Sequence, residues 1–317
     1  MTLGGFGGTP DPVRVRVPAK INLALAVHEV RGDGYHELST VFHAVDLYDE
    51  VTVRLAPRWS VTTVGHPELP TGLKNLAGKA AKALQAAMRG AGVGTAMADQ
   101  VAIEIHKQIP VAGGMAGGSA DAAATLVACN VLWRGEMPRE DLAEVGSMVG
   151  SDVPFALYGG TAVGAGRGEQ LSPVLTRMTL HWVLAIADGG LSTQAVFTEL
   201  DRLRQDGPPA MFPADVEQVI AALRSGDVDA VGAALGNDLE PAALSLNPSL
   251  RRTVRAAVDS GALGVIVSGS GPTVALLCRD SEHATKVAAQ MSGTGTCKTV
   301  RTVSGPVEGA RIIGGAL

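Results

Sequence analysis

Aromatic rings are scarce in this chain: three Trp, three Tyr and five Phe among 317 residues, 3% in all. A core of ordinary density must therefore come from Val, Leu, Ile and Ala, and a ring in a polar loop stands out as more than filler. Cysteine is as sparse. Cys129, Cys278 and Cys297 are far apart, odd in number and never spaced C-x-x-C, which excludes a disulfide framework and a zinc site of the usual spacing. Basic runs are missing and the formal net charge is −5, so a generic nucleic-acid surface is not expected. No apolar stretch reaches the roughly 18 residues of a membrane-crossing helix. The opening MTLGGFGGTPDPVRV has neither the basic start nor the apolar centre of a signal peptide. These absences leave a soluble, cytoplasmic globular protein as the expectation, with no membrane partner and one or two domains. Nothing in the pattern speaks to oligomeric state.

What is abundant is glycine, and it is unevenly placed. The stretch IPVAGGMAGGSADAAATL (Ile109–Leu126) puts four glycines ahead of an alanine-rich run. Glycine buries no side chain and costs backbone entropy, so such a loop is not built for the core. Its N–H groups can turn inward as an anion nest, and the following helix adds its unpaired N–H groups and the positive end of its dipole. A phosphate cradle over Pro110–Ser119 is one reading; a turn for close helix–strand packing is the other. Ser119 falls at the loop–helix junction, where it would cap the helix or touch a metal-bound phosphate. The loop lacks the G-x-x-x-x-G-K-[ST] and G-x-G-x-x-G patterns, and H-R-D and D-F-G are absent from the chain.

Three further stretches carry chemistry. In VPAKINLALAVHEVRGDGYHELSTVF (Val17–Phe42), Lys20 interrupts an apolar segment and Asn22 shares its face if the segment is extended. A lysine there either snorkels to solvent or serves a site. Tyr35 and His36 sit on a glycine turn, either as a ring-stacking recognition pair or as an ordinary loop tip. In MVGSDVPFAL, Asp152 is flanked by apolar residues and needs a partner such as Lys20, unless it or Ser151 only caps a helix. A second glycine loop, VSGSGPTVALL (Val267–Leu277), either closes over a nucleotide or makes a tight turn.

Periodicity predicts strands at Val13–Val17, Glu50–Ala56, Gln100–Lys107 and Leu180–Ala187, and strand–loop–strand over Leu263–Cys278. Helices are predicted at Lys74–Met88, Ser119–Trp133, Leu142–Gly150, Asp215–Arg224, Val228–Leu235, Pro248–Asp259 and Glu282–Met291. RQDGPPAMFP (Arg204–Pro213) reads as a surface loop. The elements are mixed α+β layers with a change of character near residue 170.

These stretches, in this order, resemble the GHMP kinase superfamily, which includes galactokinase, homoserine kinase and mevalonate kinase. PVAGGMAGGSADAA (Pro110–Ala123) is similar to its P-x-x-x-G-L-G-S-S-A-A motif, and SGSGPT (Ser268–Thr273) to its second glycine-rich motif. PAKINLAL, RGDGYHEL, GSDVPF and GNDLEP (Gly236–Pro241) are similar to the branch whose acceptor is a cytidine diphosphate-linked sugar alcohol. The departures are Ala112 and Met115–Ala116, where relatives often carry Gly or Leu, and a leader and a tail after Val303 that match nothing.

The resemblance implies a two-domain α+β fold divided as 1–172 and 173–317. The first domain would bind nucleotide and contain a left-handed βαβ crossover; the second would be a ferredoxin-like sandwich. It implies ATP with Mg²⁺, wrapped by Pro110, Val111, Ala112, Gly113, Gly114, Met115, Ala116, Gly117, Gly118, Ser119 and Ala120, with Asn75 near the adenine. Asp152 would take the proton of the acceptor hydroxyl and Lys20 would offset the developing charge. Tyr35 and His36 would recognise the cytosine, with Asn22 nearby on the acceptor and Phe197 as a second stacking ring. No protein metal ligand is implied beyond Ser119 as a candidate. The rival readings are a homoserine- or mevalonate-type kinase and a ligand-binding relative without turnover.

Overall fold

Two long strands set the frame. β1 (Val13–Val30) and β2 (His36–Leu55) form an antiparallel hairpin, joined by the turn that carries Tyr35. Only the VRVRV start of β1 alternates. From Val17 to Val27 every residue is buried, and a strand covered on both faces shows no period of two. The computed structural model describes residues 11–94, 100–187, 189–205, 207 and 214–314. The leader before residue 11 and most of the Pro-rich stretch after Arg204 lie outside the described residues.

After the hairpin come β3 (Ser60–Val64), a 3-10 turn (Gly72–Lys74), α1 (Leu76–Ala91) and β4 (Val101–His106). β3 and β4 pair in parallel, so α1 is the crossover helix of a βαβ unit. The glycine loop leads into α2 (Gly117–Leu132), followed by α3 (Arg139–Val149), α4 (Val153–Tyr158), β5 (Thr161–Ala165) and β6 (Gln170–Pro173). The second half runs β7 (Leu180–Ile186), α5 (Thr193–Gln205), α6 (Val216–Ser225), α7 (Val228–Ala234), β8 (Gly236–Asn237), α8 (Glu240–Leu246) and α9 (Leu250–Asp259). It ends with β9 (Gly264–Val267), β10 (Thr273–Cys278), α10 (Ser281–Gly293), β11 (Thr299–Gly305) and β12 (Arg311–Gly314).

Among the described residues one sheet has eight strands, ordered β12-β1-β2-β4-β3, with β5 on β2, β6 on β5 and β8 on β1. The other has four antiparallel strands in the order β11-β7-β10-β9. Counted within that sheet the order is fourth, first, third, second, the ferredoxin-like arrangement. The tail that matched nothing contains β12, whose Val15↔Ile312 pairing returns the chain to the first sheet.

α2 lies between the first sheet and α1, and twelve of its residues are buried. A helix apolar all round is a core helix, and its alanines let it approach β1 and β2 closely. That burial anchors the loop at its N-terminus.

Candidate active site

The loop ahead of α2 is bent by left-handed residues at Ala112 (φ 50°), Gly114 (φ 77°) and Ala116 (φ 58°). A left-handed alanine costs about 1–2 kcal/mol, so α2 must hold this shape in place. Ala116 occupies the N-cap of α2 and offers no oxygen, and Ser119 does not act as a cap. The first N–H groups of α2 are thus without a side-chain acceptor where the loop lines a cleft of about 450 Å³. Most of Pro110–Ser119 lines that cleft, whereas Met115 and Ala120 are buried beneath it as core residues.

The second glycine loop, between β9 and β10, packs on the first. Gly114 O accepts from Ser268 Oγ at 3.2 Å, and Gly113 O accepts from Thr273 N at 3.3 Å. A Cβ on Gly114 would lie 2.0 Å from Ser268 O. Asn237 clamps the second loop, its Nδ2 donating to Val267 O (2.7 Å) and Gly269 O (2.8 Å). The signal for Asn237 was visible in GNDLEP, but the pattern alone assigned it no role.

Lys20 does not snorkel: it is 7% exposed. Its Nζ donates to Asn22 Oδ1 (2.6 Å) and Gly114 O (3.3 Å), stands 3.9 Å from Asp152 Oδ2, and lies 5.6 Å from the Phe42 ring centre. Burial pulls its pKa below the ordinary lysine value, and the Asp152 carboxylate opposes that. Asn22 Nδ2 donates to Thr40 Oγ1 at 2.8 Å, and that hydroxyl donates to Ala24 O at 2.6 Å. The chain fixes the amide, and through it the ammonium. Irregularities in the β1–β2 register at Pro18/Ala19 and Asn22/Ala24 bracket the pair, as bulges near reacting groups do. Asp152 holds the N-cap position of α4 without a capping hydrogen bond, so its carboxylate remains available in the cleft.

Asn75 lines the cleft, but its side chain is committed: Oδ1 accepts from Ala77 N and Nδ2 donates to Pro70 O. His36 and Phe197 are brought together, stacked at 5.3 Å between centroids. The His36 ring is 8% exposed, with Nδ1 2.9 Å from His28 O and Nε2 3.2 Å from Asp201 Oδ1. Both ring nitrogens therefore have protein partners. Tyr35 is 58% exposed on the turn, outside the cleft lining, with the Arg167 guanidinium 5.2 Å from its ring centre. Sequence reasoning missed Thr40, Phe42 and Arg167, none of which stands in a distinctive local pattern.

Beneath the loop, Lys107 Nζ lies 2.5 Å from Asp49 Oδ2 and 2.9 Å from Asp121 Oδ2. Asp49 also accepts from Gln108 N and Ile109 N, whereas Asp121 Oδ1 is buried without a partner. Burial pushes the Asp121 carboxyl up to about 8 although Lys107 opposes it. Among the described residues no group of three or more His, Cys, Asp or Glu could hold a metal, and no helix is long and apolar enough to cross a membrane. A larger groove of about 1490 Å³ lies between β1 and α6–α8, away from Lys20 and Asp152.

The sequence and the fold have known counterparts. A family model described as GHMP kinases N terminal domain matches residues 75–160, and one described as GHMP kinases C terminal matches residues 219–297. A 4-diphosphocytidyl-2-C-methyl-D-erythritol kinase of Mycolicibacterium gilvum is 56% identical over 305 residues, covering 95% of this chain and 92% of that protein. A crystal structure of a 4-(cytidine 5'-diphospho)-2C-methyl-D-erythritol kinase superposes with a TM-score of 0.71 at 30% identity, covering 92% of this chain and 98% of the other. The homoserine kinase of Cytophaga hutchinsonii superposes at 0.73 with 22% identity, covering 99% and 100%, a likeness of fold alone.

Proposed function

The chain belongs to the 4-diphosphocytidyl-2-C-methyl-D-erythritol kinases of the GHMP kinase family, and from that premise we propose how its cleft moves a phosphoryl group. The reaction is transfer from ATP to the 2-hydroxyl of 4-diphosphocytidyl-2-C-methyl-D-erythritol, a step of the methylerythritol phosphate route to isoprenoid precursors. The observation that carries the mechanism is Lys20 Nζ facing Asp152 Oδ2 at 3.9 Å beside the carbonyl of Gly114.

Asp152 accepts the proton of the acceptor hydroxyl. Lys20, held by Asn22 and Thr40, stays in place as negative charge gathers on the transferring group. The N–H groups of the Gly113–Gly118 turns and the N-terminus of α2 take the phosphates. Phosphoryl transfer asks mainly for such positioning and charge stabilisation. Mg²⁺ fits this site as a guest of the nucleotide: the cleft offers Ser119, Asp152 and, paired with Lys107, Asp121, but among the described residues no cage of carboxylates. When bound it would neutralise charge on the phosphate oxygens. Tyr35 would stack on the cytosine, and His36 and Phe197 would form the wall beside it. We place the boundary between the nucleotide-binding and C-terminal domains at 172/173, and the working compartment in the cytoplasm.

A coupled ATP-turnover assay over the cytidylated alcohol, free methylerythritol phosphate, homoserine and mevalonate tests the reading. Turnover of the cytidylated compound alone is expected. Equal use of any of the others would overturn the substrate assignment, and no turnover of any would favour a ligand-binding relative.

A further inference from the structure

We propose that Arg167 is the side chain that reads the diphosphate of the acceptor substrate. The inference rests on the substrate reading above and deepens it. An acceptor with a base at one end and a reacting hydroxyl at the other carries two phosphates between them, separate from the nucleotide cradle, and those charges need a cation. Four cationic side chains line the cleft. Lys107 is spent on Asp49 and Asp121. Lys20 is spent on Asn22, Gly114 O and Asp152. Lys74 stands on the β3–α1 connection beside Asn75, the residue expected at the adenine end. Arg167 remains, and among the described residues no carboxylate pairs with its guanidinium.

Its position suits the task. Arg167 is at the tip of the β5–β6 turn between Gly166 (φ 72°) and Gly168 (φ 106°). One side of that turn is stitched to the start of β2: Gly166 N donates to Glu37 Oε1 (3.0 Å) and Leu38 N donates to Gly166 O (2.7 Å). The other side faces the reacting pair, since a Cβ on Gly168 would be 3.9 Å from Asp152 Oδ1. The turn thus spans from the Tyr35 hairpin to the catalytic carboxylate. The guanidinium stacks on one face of Tyr35, and a planar fork of donors is the geometry that phosphate oxygens favour.

The test separates phosphate reading from ring packing. In Arg167→Ala, the KM for the cytidylated alcohol should rise about 10- to 100-fold, the range for truncating a charge-assisted contact. The KM for ATP should stay within about twofold. Competitive inhibition by CDP should weaken in step, while inhibition by cytidine, which lacks phosphates, should not move. Arg167→Lys should recover part of the loss, giving a second variant that keeps the charge. Equal weakening of CDP and cytidine would overturn the inference, because the guanidinium would then act only through Tyr35. An unchanged CDP inhibition constant would overturn it as well. A wild-type enzyme indifferent to the cytidylated and free alcohols would instead sink the substrate reading, which the panel assay reports independently.

Discussion

At the scale of single residues, Lys20 and Asp152, the pair proposed to react, stood out in the sequence because each broke a local rule, and the fold brings them together. Lys20 stands in an apolar run and Asp152 in another, and buried charges persist where they are paired. Thr40 was not legible. A threonine in a strand is ordinary, and only the fold shows its hydroxyl passing a hydrogen bond from Asn22 to Ala24 O. The pair makes a plain prediction. Asp152→Asn should leave ATP affinity nearly intact and lower kcat by about 10²- to 10⁴-fold, as loss of a general base does. Lys20→Ala should lower it by about 10² or more. Because burial depresses the Lys20 pKa, the basic limb of the kcat profile should fall below the ordinary lysine value. Lys20→Arg should move that limb upward. Near-normal turnover in either neutral variant would dissociate the pair from the chemistry.

At the scale of elements, loops and helices with strong punctuation were readable, and so were the short buried strands β7 and β10, but the long covered part of β1 was not. The glycine loop, α1, α2 and α10 follow the pattern of their residues. β1 beyond Val17 is hidden by its own burial, whereas α5 did carry a helical signal that went unread: Val196, Phe197, Leu200 and Leu203 share one face and pack into one apolar cluster. The contact between the glycine loops changes what a substitution there should do. On sequence grounds, a side chain at Gly114 would disfavour a positive φ and obstruct phosphate, and so weaken ATP far more than the acceptor. In the fold its Cβ would meet Ser268 O at 2.0 Å and Gly271 N at 2.8 Å, backbone atoms that cannot swing aside. Gly114→Ala should therefore lower thermal stability and weaken both ligands. At Gly118 an added Cβ meets only Leu76 Cδ1, at 3.2 Å, the flexible end of a side chain. Gly118→Ala should keep the melting temperature within a few degrees and weaken ATP selectively. Calorimetry of both variants with each ligand distinguishes the cases, and identical behaviour would refute the assignment of Gly118 to the phosphates.

At the scale of the whole molecule, the ion cluster under the loop links stability to pH. Asp121 holds its proton up to about pH 8 in the native state, whereas an unfolded Asp releases it near pH 3.9. Between those values the native state binds more protons, so stability falls as pH rises. The contribution is complete below the unfolded value and is lost as pH climbs through about 8. Urea unfolding of the wild type should thus weaken between pH 6 and pH 9, by the sign of that relation, and Asp121→Asn should show a flatter profile. Parallel profiles would assign the slope to other groups. None of this was legible in SADAA, because Asp49 and Lys107 reach Asp121 from β2 and from beyond β4.

The carbonyl of Gly114 takes hydrogen bonds from both Lys20 Nζ and Ser268 Oγ. One oxygen therefore ties together the first glycine loop, Lys20 and the loop of the second sheet. On the proposed placement of the two ligands, a shift of that oxygen on nucleotide binding would be passed to Lys20, and the two binding events would be coupled. The expected signature is heterotropic coupling: a non-hydrolysable ATP analogue should change the dissociation constant of CDP, and CDP should change that of the analogue by the same factor. Ser268→Ala removes one of the two donors and should alter that shared factor, while coupling identical to wild type would show that communication between the ligands runs elsewhere.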